Sequence, residues 1–309
     1  MARRRKGRVI DGILLLDKPA GISSNQALQK VKRLFQAQKA GHTGNLDGPA
    51  TGLLPLCFGE ATKMSTFLLD SNKSYRSEVK LGINTSTLDA TGEILKTRPV
   101  PEFTVDDLEK ILEKFRGTIT QVPPMYSALK HDGERLYKLA QQGVEVERKE
   151  RVQEIFRLEA SDLTEDGFTI EVDCSKGTYI RTLAEDIGEE LGCGAHVLTL
   201  RRTAVGCFDL DKAFTLDSLE ELAESAEGFD QLDQLLLHVD AGLTDLPQLN
   251  LSEDVAFYFL NGQAVMVPSA PKEGMIRVYE KGSRFLGLAD AVGDGRIAPR
   301  RLIATGSNP

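Results

Sequence analysis

Short apolar runs and amphipathic stretches alternate along the chain, and each predicts an element. The run Ile13-Leu14-Leu15-Leu16 ends at Lys18-Pro19-Ala20-Gly21, which predicts a buried strand closed by a turn. Ser23 with Gln26 three residues later has the form of a capping box and predicts a helix start. That helix gathers Ala27, Val31, Leu34 and Phe35 on one face and leaves Lys30, Lys32 and Arg33 outside. Over 73–82, Tyr75, Ser77, Val79 and Leu81 alternate with Arg76, Glu78 and Lys80, the pattern of a half-buried strand. Thr104 caps a helix carrying Leu108, Ile111, Leu112 and Phe115 at helical spacing. Further strands are predicted at about 151–159, 167–174 and 197–207, and helices at 60–69, 134–142 and 180–191. Strands and helices follow no strict β-α-β order, so the expected fold class is α+β with a mixed sheet.

The pattern changes after residue 250. Segments at 255–259, 264–267, 275–280, 284–289 and 296–304 are short, strand-like and punctuated by glycines, which predicts a small separate β-barrel. The boundary falls in the polar stretch 242–251, giving domains 1–247 and 248–309. At 309 residues, 41% hydrophobic and 27% charged, the chain can bury a full core without staples. Its four cysteines form no C-x-x-C pair and its four histidines never fall at ligand spacing, so no metal is expected. No apolar run reaches 18 residues, so no membrane span is expected. The basic start MARRRKGR has no apolar stretch behind it; it does not read as a secretory signal, and a cytoplasmic protein is expected.

The net charge of −8 argues against a polyanionic partner until its distribution is read. Residues 209–254 hold 13 acids and one base, a net of −12, which leaves +4 on the remainder. The acidic run reads as a solvated helical face, and the basic remainder keeps nucleic acid open as a partner.

Residues 41–59 hold five glycines and two prolines and break every periodicity. Such a segment inside a compact domain is more often functional than idle. Asp47-Gly48 within it is first a turn dipeptide. It is also a lone carboxylate on a glycine-rich loop, suited to act as nucleophile or base. His42 alone reads as a satisfied polar residue. Arg181 reads either as half of a surface pair or as a fork gripping a carboxylate in a closed site. Tyr75, between Lys73 and Arg76, reads as a core aromatic or as a stacking surface flanked by cations.

At this point the residues resemble a family. Gly12 to Pro19, Gly41-His42-Thr43-Gly44 with Leu46-Asp47, Ala50 to Pro55, Gly59 to Lys63 and Ser74-Tyr75-Arg76 are similar, in order, to the bacterial TruB-type tRNA pseudouridine-55 synthases. Met125 to Ala128, Cys174 to Arg181 and Gly194-Ala195-His196 with Leu200-Arg201-Arg202 continue the resemblance almost end to end. It implies a pseudouridine synthase fold, with a mixed, largely antiparallel sheet and flanking helices, followed by a PUA-like RNA-binding barrel. It implies isomerisation of a uridine in the tRNA T loop, with no cofactor and no metal, by a monomer. Carried over by position, Asp47 is the nucleophile, Tyr75 stacks on the flipped base and helps remove the C5 proton, and Arg181 pairs with Asp47. Tyr179 and Leu200 line the uracil pocket, and His42 fills the space the base leaves. Lys18 and Lys63 contact the RNA backbone or support the loop. One departure stands out: the family places Pro-Leu after the catalytic aspartate, where this chain has Gly48-Pro49.

Other readings stay open from sequence. A guide-RNA-dependent synthase is disfavoured by the lack of long basic tails. A non-catalytic RNA-binding protein would leave Asp47 a turn former. A glycosidase would pair Asp47 with Asp89.

Overall fold

The computed structural model describes residues 7–225 and 228–303; the basic residues before Gly7 and the last expected strand residue, Ala304, lie outside these. The apolar run around Leu15 forms β1 (Gly12–Lys18). The Ser23–Gln26 box closes with both hydrogen bonds and opens α1 (Ser24–Leu34). β2 (Ala40–His42) and β3 (Thr51–Phe58) follow, and β3 corrects the expectation of irregular chain throughout 41–59. Pro55 is tolerated inside it for a definite reason. Its carbonyl accepts from Thr43 N at 3.1 Å, so its nitrogen faces that side too and the missing N–H costs the β1 ladder nothing.

A 3-10 turn leads to α2 (Ser65–Asp70) and then to β4 (Lys73–Leu81). The hairpin β5 (Ile83–Thr85) and β6 (Ile94–Thr97) precedes α3 (Val105–Glu113), which starts at its Thr104 cap. β7 (Gly117–Gln121), the small hairpin β8 (Lys130–His131) and β9 (Glu134–Arg135), and α4 (Leu136–Gln141) come next. β10 (Arg151–Thr164), β11 (Gly167–Cys174), α5 (Ile180–Glu190) and β12 (Ala195–Val205) complete the centre. β13 (Phe208–Asp209), β14 (Phe214–Thr215), α6 (Leu216–Glu224) and α7 (Gly228–Gln234) close this part of the chain.

One ten-stranded sheet runs β14-β1-β3-β12-β4-β11-β10-β7, with β2 on β3 and β13 on β12. Only β1/β14 and β3/β12 pair in parallel, so the sheet is mixed and largely antiparallel. Val79 and Leu81 of β4 meet Leu183 and Ile187 of α5 in one core. Leu14 and Leu16 of β1 meet Ala27 and Val31 of α1 in another. Asp217, Glu220, Glu221 and Glu224 of the acidic run are exposed on α6, as a solvated face should be. Asp240, in the same run, is buried instead.

A second sheet is ordered β15 (Gln248–Leu251), β17 (Met275–Glu280), β18 (Arg284–Ala291), β19 (Arg296–Leu302), β16 (Val265–Met266), a curled half-barrel. Residues 255–259, expected as strand, lie in α8 (Glu253–Leu260). Ser252 caps that helix, with Glu253 and Asp254 in its first turn, and these local signals override the β-prone aromatic run. Ala256 and Phe259 then pack into the core of the half-barrel.

This sheet is joined to the larger one by shared core. Tyr279, Phe285, Leu288 and Ile303 pack with Ile13 and Leu15 of β1 and with Val239 and Leu243. Buried Asp240 sits at the seam, accepting from the Tyr279 hydroxyl and paired with His238. Lys63 donates to the Leu302 carbonyl at 2.8 Å. We therefore expect Phe285→Ala to destabilise the whole chain by about 3–5 kcal/mol. Denaturant unfolding should shift as one transition; two separated transitions would show that the sheets unfold independently.

Candidate active site

The loop 43–50 between β2 and β3 carries Asp47, and nearly every step of it is tied down. Ser24, at the start of α1, receives the Leu46 N–H at 2.8 Å and donates to the Leu46 carbonyl at 3.1 Å. Thr43 donates to Pro55 from its backbone at 3.1 Å and from its hydroxyl at 3.3 Å. The Gly48 carbonyl accepts from Gly21 N at 2.9 Å and from Lys18 Nζ at 3.3 Å. Ala50 N donates to the Asp47 carbonyl at 3.2 Å, so residues 47–50 form a turn with Pro49 at its third place. Proline there excludes the positive φ of a type II turn. Gly48 does not adopt a left-handed φ, and a Cβ on it would meet nothing within 4 Å.

The Asp47 side chain is 44% exposed and is held by one that is not. Arg181 is 6% exposed at the first turn of α5, and its Nη2 lies 2.9 Å from Asp47 Oδ2. Its hydrogen bonds go to the carbonyls of Thr87 and Tyr126, each at 2.7 Å. The grip on Asp47 is thus one corner of a three-way arrangement rather than the two-pronged fork read from the motif. The start of α5 contributes partial positive charge, which disfavours Arg181 and favours the carboxylate it faces.

Asp47 and Arg181 sit on the wall of a cavity of about 260 Å³, with Tyr75, Tyr179 and Leu200 among the other lining residues. This lies just below the roughly 300–1,000 Å³ of ordinary ligand pockets and suits a single flat ring. β4 presents Tyr75 from its core-facing side, and burial pushes the phenol above its usual range. Tyr179 is the N-cap of α5, and Gln121 of β7 bonds its N–H at 3.0 Å and its carbonyl at 3.3 Å. Burial also raises the Tyr179 phenol, while Ser127 opposes the shift.

A larger channel of about 840 Å³ adjoins this cavity, shares Asp47 and Arg181, and includes His42, Asp89 and Arg135. Burial holds His42 below the usual imidazole range, and among the described residues its buried Nδ1 has no hydrogen-bond partner. Asp89, the second carboxylate of the glycosidase reading, is occupied at Oδ1 by the hydroxyls of Thr87 and Thr91 and by Thr91 N.

Of the two lysines expected to contact RNA or support the loop, Lys18 supports it. Lys18 is wholly buried and its ammonium donates to Pro19, Ile22 and Gly48 carbonyls at 2.8, 2.8 and 3.3 Å. It braces the loop from below and has no donor left for a phosphate. Lys63 serves Glu60 at 2.5 Å and Leu302, away from the cavity. Of the two cations beside Tyr75 in sequence, Lys73 lines the same cavity and Arg76 does not. Lys73 turns to the Leu69 carbonyl at 2.8 Å at the end of α2, and Arg76 pairs with Asp162 and Glu171 on the opposite face of the sheet. Sequence reasoning gives no individual role to Arg202, Gln121 or Ser24. Each looks ordinary in sequence because its partners lie far along the chain.

The mixed sheet with this cleft across it is the pseudouridine synthase fold. A structure of an H/ACA RNP bound to a substrate RNA containing 2′-deoxyuridine superposes with a TM-score of 0.74, at 19% identity, over all of this chain and 93% of that one. A Cbf5–Nop10–Gar1 complex gives 0.71 at 23% identity, over 92% of this chain and 79% of that one.

The pattern of the TruB family pseudouridylate synthase N-terminal domain matches residues 32–180, and two patterns of TruB C-terminal domains match 181–244 and 247–303. A Nitrosococcus oceani protein named tRNA pseudouridine synthase B is 56% identical over 301 residues, 97% of each chain. A Stutzerimonas stutzeri protein of the same name is 56% identical over 300 residues, 97% of this chain and 98% of that one. The chain belongs to the TruB family of pseudouridylate synthases.

Two outcomes follow from the geometry. Arg181→Lys keeps the charge, but one ammonium cannot serve Thr87, Tyr126 and Asp47 in their observed directions. Single-turnover rate should fall about 100-fold or more, as expected for slight misplacement of a reacting group. Equal rates for variant and wild type would show that the pair does not position Asp47.

The second outcome concerns Lys18. Burial lowers its pKa to about 8 from 10.5, so between those values the unfolded chain binds the extra proton. Stability from this group therefore rises with pH across that window, and below it the cost of burying the charge is felt in full. Measured against Lys18→Met, the wild type should gain on the order of 2–3 kcal/mol in relative stability between pH 7.5 and 10.5. A flat difference would mean that Lys18 titrates normally.

Proposed function

We propose that this protein converts uridine to pseudouridine at position 55 in the T loop of tRNA, with Asp47 as nucleophile. The observation that carries the reading is a half-exposed carboxylate, fixed at 2.9 Å by a buried arginine, at the edge of a cavity lined by two tyrosines and a leucine. The relatives named tRNA pseudouridine synthase B support tRNA as the substrate. A base must leave its stack to enter such a cavity, at a cost of a few kcal/mol. Stacking on an aromatic ring returns roughly 1–3 kcal/mol. Tyr75 and Tyr179 line the cavity, and in this reading they supply it.

The reaction is an isomerisation. The bond from ribose C1′ to N1 breaks, a bond from C1′ to C5 forms, the C5 proton leaves and N1 gains one. Nothing is oxidised or reduced overall, so neither a cofactor nor a metal is proposed. Asp47 attacks at ribose C1′ or ring C6 and is released again before the product leaves, Arg181 keeps its carboxylate aimed, Tyr75 holds the base and assists at C5, and Tyr179 and Leu200 shape the pocket. His42, in the wider channel, fills the place the base vacates. Residues 1–247 form the catalytic domain in this reading. Residues 248–309 form a PUA-like RNA-binding domain that positions the T-arm stem-loop, in a monomer acting in the cytoplasm.

Incubation with unmodified tRNA, followed by nucleoside analysis, tests the reading. The wild type should form pseudouridine at position 55. Asp47→Asn should form none while keeping tRNA affinity within a few fold, because binding is spread over many contacts. Sustained turnover by pure Asp47→Asn would remove that residue from its role.

A further inference from the structure

Arg202 lies at the junction of three strands and lines the cavity. It is the register partner of Gly52 on β3 and of Tyr75 on β4. Its side chain is among the largest that are fully buried, at 1% exposure. A guanidinium keeps its proton at any accessible pH, so this is a buried charge. Among the described residues no carboxylate lies within ion-pair distance of it, and its Nη2 has no hydrogen-bond partner. A buried cation without an anion is costly, and a core needing only volume would be better served by an apolar side chain.

The donors that are used explain the placement. Nε donates to the Leu53 carbonyl at 2.7 Å and Nη1 to the Asn45 carbonyl at 3.3 Å. Those carbonyls stand on either side of Asp47 in sequence, so one planar group ties its loop to the strand β3 that follows. Arg202 also stands opposite Tyr75 in the β12/β4 register and lines the same cavity. The backbones of β3 and β12 also approach closely at this point, whatever side chain residue 202 carries. Gly52 has φ +102°, and a Cβ there would overlap the Arg202 carbonyl.

We propose that Arg202 is a positioning residue, which locks the Asp47 loop and Tyr75 into one fixed relation at the base pocket. This rests on the functional reading above. Arg181 holds the Asp47 carboxylate directly, whereas Arg202 acts through the loop backbone and Tyr75. Its unpaired charge makes the role separable from stability, because a shorter neutral donor reaching only as far as Nε removes a burial cost while losing the second tether.

The test compares wild type, Arg202→Gln and Arg202→Lys by thermal unfolding, tRNA affinity and single-turnover rate at saturating unmodified tRNA. Arg202→Gln should unfold at the wild-type temperature or above and bind tRNA within about threefold. Its single-turnover rate should fall about 100-fold or more, because the loop is misplaced and not lost. Arg202→Lys keeps the charge without the fork and should show the same split of rate from affinity. A wild-type rate in Arg202→Gln would overturn the proposal. So would a rate loss matched by an equal loss of affinity, which would make Arg202 an RNA contact. Failure of both variants to fold would also overturn it, making Arg202 a core residue only. Absence of pseudouridine with the wild type is a different result and would instead refute the functional reading.

Discussion

A guanidinium cannot shed its proton, so burying Arg181 at the first turn of α5 obliges the fold to bring acceptors to it. Two come from backbone, Thr87 after β5 and Tyr126 after β7, and the third is the Asp47 carboxylate. The three arrive from separate parts of the chain, so the large sheet must be assembled before the arginine is satisfied. The arrangement also works in reverse. The same fixed cation holds the Asp47 carboxylate in one place at the edge of the cavity.

What keeps Asp47 in place is backbone bonding more than side-chain packing. Ser24, Lys18 and Arg202 each reach carbonyls or amides of the loop from α1, β1 and β12. Two of these are buried cations, and hydrogen bonding to carbonyls offsets part of their desolvation. The half-barrel adds rigidity from behind β1, where its aromatic residues complete the core under Ile13 and Leu15.

Much of this was legible in sequence wherever the signal is local. The boxes at Ser23 and Thr104 form with the expected partners, because capping depends on residues three apart. The alternation across 73–82 becomes β4, because one face of that strand is buried and the other solvated. Asp47, Tyr75, Tyr179, Arg181 and Leu200 do come together around one cavity, a placement that family motifs anticipated and periodicity alone could not. Local signals misled where distant contacts decide. Glycines and prolines hid β3, which is a central strand because β1, β2 and β12 all pair with it. Lys18 resembles a surface lysine in a turn, yet three carbonyls surround it. Arg202 follows Arg201 in sequence, but alternation along β12 sends one to Asp17 and the other into the core.

The central claim is that the Arg181–Asp47 pair faces the reacting uridine. The most direct measurement is a crystal structure of the Asp47→Asn protein bound to a tRNA T-arm stem-loop. The account predicts the target base flipped into the cavity, stacked against Tyr75, with the residue 47 side chain about 3–3.5 Å from the ribose C1′ or the ring C6. A target uridine bound elsewhere, or held with the substituted side chain at position 47 turned away from it, would contradict the account.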